Sequence, residues 1–165
     1  RHFSGGQTER VVARVTVTGA AVGQAVNVTA LKLAYTDLLK DGTVESAASL
    51  SAMVTDRQEE VVARRDKKAT VYAVRARSAA NLQKAAEALK GGRRDEARML
   101  IQQNQMMFRQ AASVAGAPAV AADMAEQKAA YEEYERAQSA DQVNTAVKKS
   151  KAKALKDFGR MGSTY

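Results

Sequence analysis

His2 is the only histidine among 165 residues, and there is no cysteine. Nucleophilic catalysis of the Ser-His-Asp kind needs an imidazole clamped between a hydroxyl and a carboxylate. A histidine at position 2 has nothing around it to hold it there. The absence of cysteine removes disulfides, thiolate chemistry and Cys-based metal sites. Carboxylates gather at Glu132, Glu133 and Glu135 and again at Glu59-Glu60. Buried in unlike surroundings, such groups can do acid–base work or hold a divalent cation through oxygen. Here they stand beside Lys and Arg on helical stretches, which reads as solvated surface charge. Met99, Met106 and Met107 read as core filler or a pliable contact surface, not as ligands for a soft metal. The residues therefore offer no catalytic, cofactor-binding or metal set, and the chain reads as not an enzyme.

One group of side chains keeps a possible use. Lys148, Lys149, Lys151, Lys153, Lys156 and Arg160 form a basic run that is a candidate partner-binding patch. The chain carries a formal charge of +8, and all of the excess lies late. Residues 1–56 hold five Lys/Arg and five Asp/Glu, against twenty-one and thirteen in residues 57–165. A basic field of this kind suits nucleic acid, an anionic membrane or an acidic protein surface. Helical spacing, however, spreads these lysines around the cylinder, and Phe158 alone supplies an aromatic for stacking. A second group, Arg64, Arg65, Lys67 and Lys68, follows Glu60, which stands four residues before Arg64 as a favourable helix pair.

Positioning falls to two kinds of element, and the hydrophobic period changes between them near Thr55. Alternation over Glu9–Thr18 puts Val11, Ala13, Val15 and Val17 on one face of a first strand. A second runs from Ala25 to Tyr35, where Val26 and Val28 share one phase and Leu31, Leu33 and Tyr35 the other, so a bulge is expected near Thr29-Ala30. With apolar residues read on both faces, this strand calls for cover that the chain's own strands do not supply. The candidates are the chain's own long helix, a symmetry-related second copy, or strands from missing upstream sequence, the last being favoured. Lys40-Asp41-Gly42 signals a turn, with Gly42 tolerating positive φ, and a third strand follows over Thr43–Val54.

Thr55-Asp56-Arg57-Gln58 reads as a capping box opening one long helix from Arg57 to Lys90, about 50 Å at 1.5 Å per residue. Its stripe is Val71, Val74, Ser78, Leu82, Ala85 and Leu89. Gly91-Gly92 ends it through left-handed conformations, and the next stripe comprises Ala97, Leu100, Ile101, Asn104, Met107, Phe108, Ala111 and Val114. The short link makes the two helices antiparallel neighbours. Ala115-Gly116-Ala117-Pro118 breaks the chain before a third helix, Pro118–Ala137, expected to bury Val120, Met124, Tyr131 and Tyr134. Ser139-Ala140-Asp141-Gln142 caps a lysine-rich helix to Asp157, with Val143, Val147 and Leu155 as its apolar candidates, after which Phe158 and Gly159 leave the helix.

The expected fold is thus α+β: N-terminal antiparallel strands, part of a β-sandwich, in residues 1–55, then an antiparallel bundle of three to four helices in residues 56–165. Only 5% of residues are aromatic and there is no Trp, so the bundle core must rest on Ala, Val, Leu and Met. No apolar run reaches the roughly 18 to 20 residues needed to span a bilayer. A chain opening on Arg1 without Met is expected to be a fragment or processed product, with any targeting segment upstream.

The Gly turn within Ala85–Ala97 resembles a tetratricopeptide hairpin, but no second copy follows at about 34 residues, so a repeat array is excluded. The order of features as a whole resembles the C-terminal part of bacterial von Willebrand factor A-domain proteins. The resemblance is carried by Gly5-Gly6-Gln7, by Leu33-Ala34-Tyr35-Thr36-Asp37, by Ala79-Ala80-Asn81-Leu82-Gln83-Lys84-Ala85, and by Lys148-Lys149-Ser150-Lys151 through Phe158-Gly159-Arg160 to Ser163-Thr164-Tyr165. It implies a β-sandwich whose strands come from both sides of an inserted A domain, followed by C-terminal helices. It also implies a role in scaffolding or orienting that domain for protein contact, and a place in the bacterial cell envelope or periplasm, with the cytoplasm as the alternative. The family's metal site uses Asp-x-Ser-x-Ser, which does not occur here; a divalent cation would belong to the missing A domain. The expected partners are a protein of unknown identity and the upstream A domain or strands, with nucleic acid or an anionic membrane as the alternative.

Overall fold

The computed structural model describes residues 11–160, with side chains as far as Leu155. His2, the Gly5-Gly6-Gln7 opening, the tail from Met161 and the side chains of Lys156, Phe158 and Arg160 lie outside the described residues. The fold is α+β, two strands followed by five α-helices. Two compact units divide it, residues 13–64 and the chain from Arg65 onward. The division falls later than the expected 55, because a short helix groups with the strands.

In the first unit, β1 (Ala25–Asp37) and β2 (Gly42–Met53) pair antiparallel from Ala25↔Met53 to Asp37↔Gly42. The connecting turn is held by Asp37 Oδ1, which accepts from the Leu39 N–H at 2.9 Å. Asp41, not Gly42 as expected, takes the positive φ of 47°; a short polar side chain tolerates this region better than most. The expected first strand is corrected: residues 11–18 belong to no strand, and Glu9 and Arg10 lie outside the described residues. Alternation equips a segment to enter a sheet, but a neighbouring edge must also receive it.

The register breaks between Asn27 and Thr29, leaving Val28 as the extra residue. One added residue reverses the phase of everything before it. Val26 therefore joins Leu31, Leu33 and Tyr35 on one face, with Val44, Ala48, Leu50 and Ala52 opposite them on β2. The other face carries Ala30, Lys32, Ala34 and Thr36 beside Thr43, Glu45, Ala47 and Ser49. The reading of two apolar faces is thus corrected to one.

After β2, α1 (Gln58–Ala63) is a short helix with no side-chain cap at Arg57. Thr55 Oγ1 accepts from the Arg57 N–H (3.1 Å) and donates to Glu60 Oε2 (3.0 Å), a local turn in place of the expected capping box. The single helix from Arg57 to Lys90 is also corrected. Asp66 starts a new one, α2 (Lys67–Lys90), by accepting from the Ala69 N–H at 2.7 Å. A strong N-cap stands there amid Arg64, Arg65, Lys67 and Lys68, whose like charges would crowd one continuous turn.

In the second unit, α2 ends in a Schellman turn: the Arg93 N–H reaches Ala88 O (2.9 Å) and the Gly92 N–H reaches Leu89 O (3.0 Å). Gly92 alone of the pair has positive φ, 78°. Next come α3 (Arg94–Ala115), a 3-10 turn (Ala117–Val120) with Pro118 in its first turn, α4 (Ala121–Arg136) and α5 (Ala140–Arg160). α5 runs past the expected end at Asp157, through Phe158 and Gly159. Its start is a reciprocal capping box: Ser139 Oγ accepts from the Gln142 N–H (3.3 Å), and Gln142 Oε1 accepts from the Ser139 N–H (3.1 Å). Side-chain pairs between neighbours, such as Asn81 with Asn104, Gln102 with Tyr131 and Lys149 with Glu133, run in opposite senses along successive helices, so the bundle is up-down-up-down.

Two apolar clusters fill it. Val71, Phe108, Ala111 and Val120 form one. Leu82, Ala85, Ala86, Leu89, Ala97, Ile101, Tyr134, Ala146 and Ala154 lie in the other. Between them in sequence along each helix fall Ser78, Asn104 and Gln127, all buried. Asn104 Nδ2 donates to Ser78 O and to Gln127 Oε1, both at 3.1 Å, while its Oδ1 accepts from Asn81 Nδ2 at 2.9 Å. Both N–H donors and the oxygen of the Asn104 amide are thereby engaged, whereas Ser78 Oγ is buried without a partner.

Replacing Asn104 with Ala strands polar atoms on two other helices and is expected to cost about 2 to 4 kcal/mol. Ser78→Ala removes only the unpartnered hydroxyl and should be neutral or stabilising. Urea unfolding followed by helical circular dichroism checks both; equal losses for the two variants would contradict the assignment.

Candidate interaction surfaces

Of the four lysines of the expected patch whose side chains are described, two are paired with carboxylates of α4. Lys149 Nζ sits 2.6 Å from Glu133 Oε1, and Lys153 is in contact with Glu126, so α4 supplies a carboxylate to each. Lys148 and Lys151 are exposed. Lys156 and Arg160 lie on the helix with their side chains outside the described residues. Of the second group, Arg64 belongs to the unit containing the hairpin, and Arg65, Lys67 and Lys68 to the bundle.

The carboxylate cluster disperses in the same way. Glu132 pairs with Arg136 at 2.9 Å, Glu133 with Lys149, and Glu135 with Arg98 at 2.5 Å. Arg98 also touches Asp95, and the hydrogen bond to Glu135, followed by that to Asp95, pushes its pKa up. A groove of about 520 Å³ between α4 and α5 is lined by Glu132, Glu133, Arg136 and Lys149 among others, each facing an opposite charge. Glu60 is engaged with Arg57 at 3.1 Å. Met99 and Met106 are exposed on α3, and Met107 is half-buried.

Two interhelical contacts escaped sequence reasoning because their partners are remote in the chain. Arg75 clasps the buried Asp123 with Nε at 3.1 and 3.2 Å and Nη2 at 2.8 Å, joining α2 to α4. Tyr134 Oη donates to Ser150 Oγ at 2.9 Å inside the α4–α5 seam. Burial pushes the Tyr134 phenol above its usual value; a Ser150 hydroxyl turned to donate works against this, and the Glu133 charge adds to it. An acid whose folded pKa is raised contributes stability that is complete below its unfolded pKa, about 10, and is lost as pH climbs through the folded value. The bundle should therefore weaken above pH about 10, and Tyr134→Phe should flatten that fall in alkaline melts. An unchanged alkaline slope in the variant would exclude Tyr134 as its source.

The hairpin presents the other surface. Leu31 is 63% exposed, Leu33 57%, Tyr35 44% and Leu50 58%, all on the face defined by the bulge. Both outer edges of the two-stranded sheet lack a further strand among the described residues. Among those residues no helix is long and apolar enough to cross a membrane.

Comparison with protein-family models, with curated proteins and with solved structures found no match for this chain.

With Lys149 and Lys153 engaged by α4, binding to duplex DNA at low salt should follow net charge and not this helix in particular. The Lys148→Glu/Lys151→Glu double variant should then lose no more DNA retention than Lys84→Glu/Lys90→Glu on α2. Selective loss in the α5 variant would make that helix the binding element.

Proposed function

We propose that this chain is a non-catalytic accessory or scaffolding region of a von Willebrand factor A-domain protein, orienting that domain or mediating its protein contacts. The observation that carries the reading is the open-edged, two-stranded sheet. A hairpin of this kind is marginal alone in water and gains stability when further strands join it. The bundle offers a rigid base of antiparallel helices, with charged groups engaged in pairs. A divalent cation would belong to the A domain, and a bacterial envelope or periplasmic setting goes with the same reading. The exposed Lys148 and Lys151 favour a second reading, a basic module for nucleic acid or an anionic membrane, but two of the four described lysines of that run face carboxylates.

Intact-mass and sequence determination on the protein isolated from its source tests the first reading. The expected result is a longer polypeptide that carries Asp-x-Ser-x-Ser in an A domain. A native polypeptide without that motif would remove the reading.

A further inference from the structure

The hairpin leaves its apolar face to solvent, and three observations point to what covers it. First, formal charge is kept off the middle of the face: Lys32 and Glu45 pair at 2.8 Å on the opposite side, and Asp37 stands at the turn end, where its carboxylate accepts from the Leu39 N–H. Second, over most of their length its two rows differ in bulk: Leu31, Leu33 and Tyr35 on β1 stand against Ala48, Ser46 and Val44 on β2, with the order reversed only where Leu50 faces Thr29. A twofold axis along the strands, between two stacked sheets, would set the bulky row of one copy over the small row of the other. Third, charge is segregated. Residues 13–64 hold five Lys/Arg and six Asp/Glu, whereas residues 65–160 hold nineteen and eleven. Two copies can approach through the hairpin unit without the repulsion that the strongly basic bundle would impose.

We propose that the apolar face of the β1–β2 hairpin is a homodimer interface, at which a second copy of this chain supplies the opposing sheet. The proposal goes beyond the accessory reading, which concerns strands added at the edges. The strands, at about 3.4 Å per residue and 4.8 Å apart, make a face of roughly 40 by 10 Å. Two such faces in contact cover about 800 Å² in projection, under the roughly 1,200 Å² of a standard specific interface, so the dimer is weak, concentration-dependent and not obligate.

Sedimentation velocity of the 165-residue chain, from about 5 to 500 µM, tests this. The weight-average mass should rise from monomer to dimer. Leu33→Lys, which places a charge in the interface, should weaken association at least about tenfold, while Thr36→Lys on the opposite face leaves it unchanged. Because Leu33→Lys could also loosen the hairpin itself, hydrogen exchange of the unaltered chain supplies an independent readout. Amides of β1 and β2 should exchange more slowly as concentration rises, and those of the bundle should not. A monomer at every concentration with constant exchange would overturn the proposal. So would a dimer weakened equally by both variants, or a monomer whose face is protected only on adding an unrelated strand peptide. None of these outcomes alters the intact-mass result, so failure here and failure of the accessory reading are separable.

Discussion

The carboxamide of Asn104 is the point on which the bundle depends. One side chain from α3 donates to α2 and to α4 and accepts from α2, with both N–H donors and the oxygen engaged. Sliding any of these helices by one turn would move its partner atom about 5.4 Å and leave buried polar groups without bonds. Apolar contacts alone discriminate poorly here, because so much of the core is alanine, and one alanine packs much like the next. The polar layer therefore supplies the register that the small-residue core lacks, as a buried Asn does in a coiled coil. The buried Asp123, clasped by Arg75, imposes a second such condition between α2 and α4.

The helical half was largely legible for a simple reason: helical stripes are local. Val71, Ser78, Leu82, Ala85 and Leu89 on α2, and Ala97, Ile101, Asn104, Phe108 and Ala111 on α3, are buried as their spacing required. Ser78 and Asn104 stood inside those stripes as polar letters at core positions. Gln127 was the missed third member, although it lies three residues after Met124 and four before Tyr131, within the same period. On α5 the stripe was read from its large residues, and Leu155 was included, yet it stays 66% exposed. Val147 is buried as its spacing required, and with it the helix buries Ala146, Ser150 and Ala154, small residues that permit close approach and give a weak hydropathy signal. The break before Lys67 was the costlier omission, since Asp66 is as good an N-cap as the Thr55 that was preferred to it.

The strands teach a different lesson. Both members of the hairpin were found nearly to the residue, and the phase change pointed to a bulge within a residue or two of its place. What that bulge does was misread. A phase change seen in sequence suggests that one strand serves two apolar faces, whereas the extra Val28 restores Val26 to the face of Leu31, Leu33 and Tyr35. The segment 11–18 was overread for a related reason, because pairing is non-local and alternation carries no information about the partner edge.

Charge shows most plainly why the candidate patch was less legible than the fold. Four of the six residues from Lys148 to Lys153 are lysine, and sequence alone totals them as one basic field. Folding places α4 alongside, and its Glu126 and Glu133 stand 27 and 16 residues away in the chain yet in contact with Lys153 and Lys149. A helix that lends its carboxylates to its neighbour turns part of a basic run into an interhelical fastening, with Lys148 and Lys151 left exposed. The excess of Lys and Arg over Asp and Glu remains in the bundle, while the hairpin unit stays almost neutral. Like charge thus works against contact between the bundles of two molecules, and that repulsion is weakest at the hairpin unit.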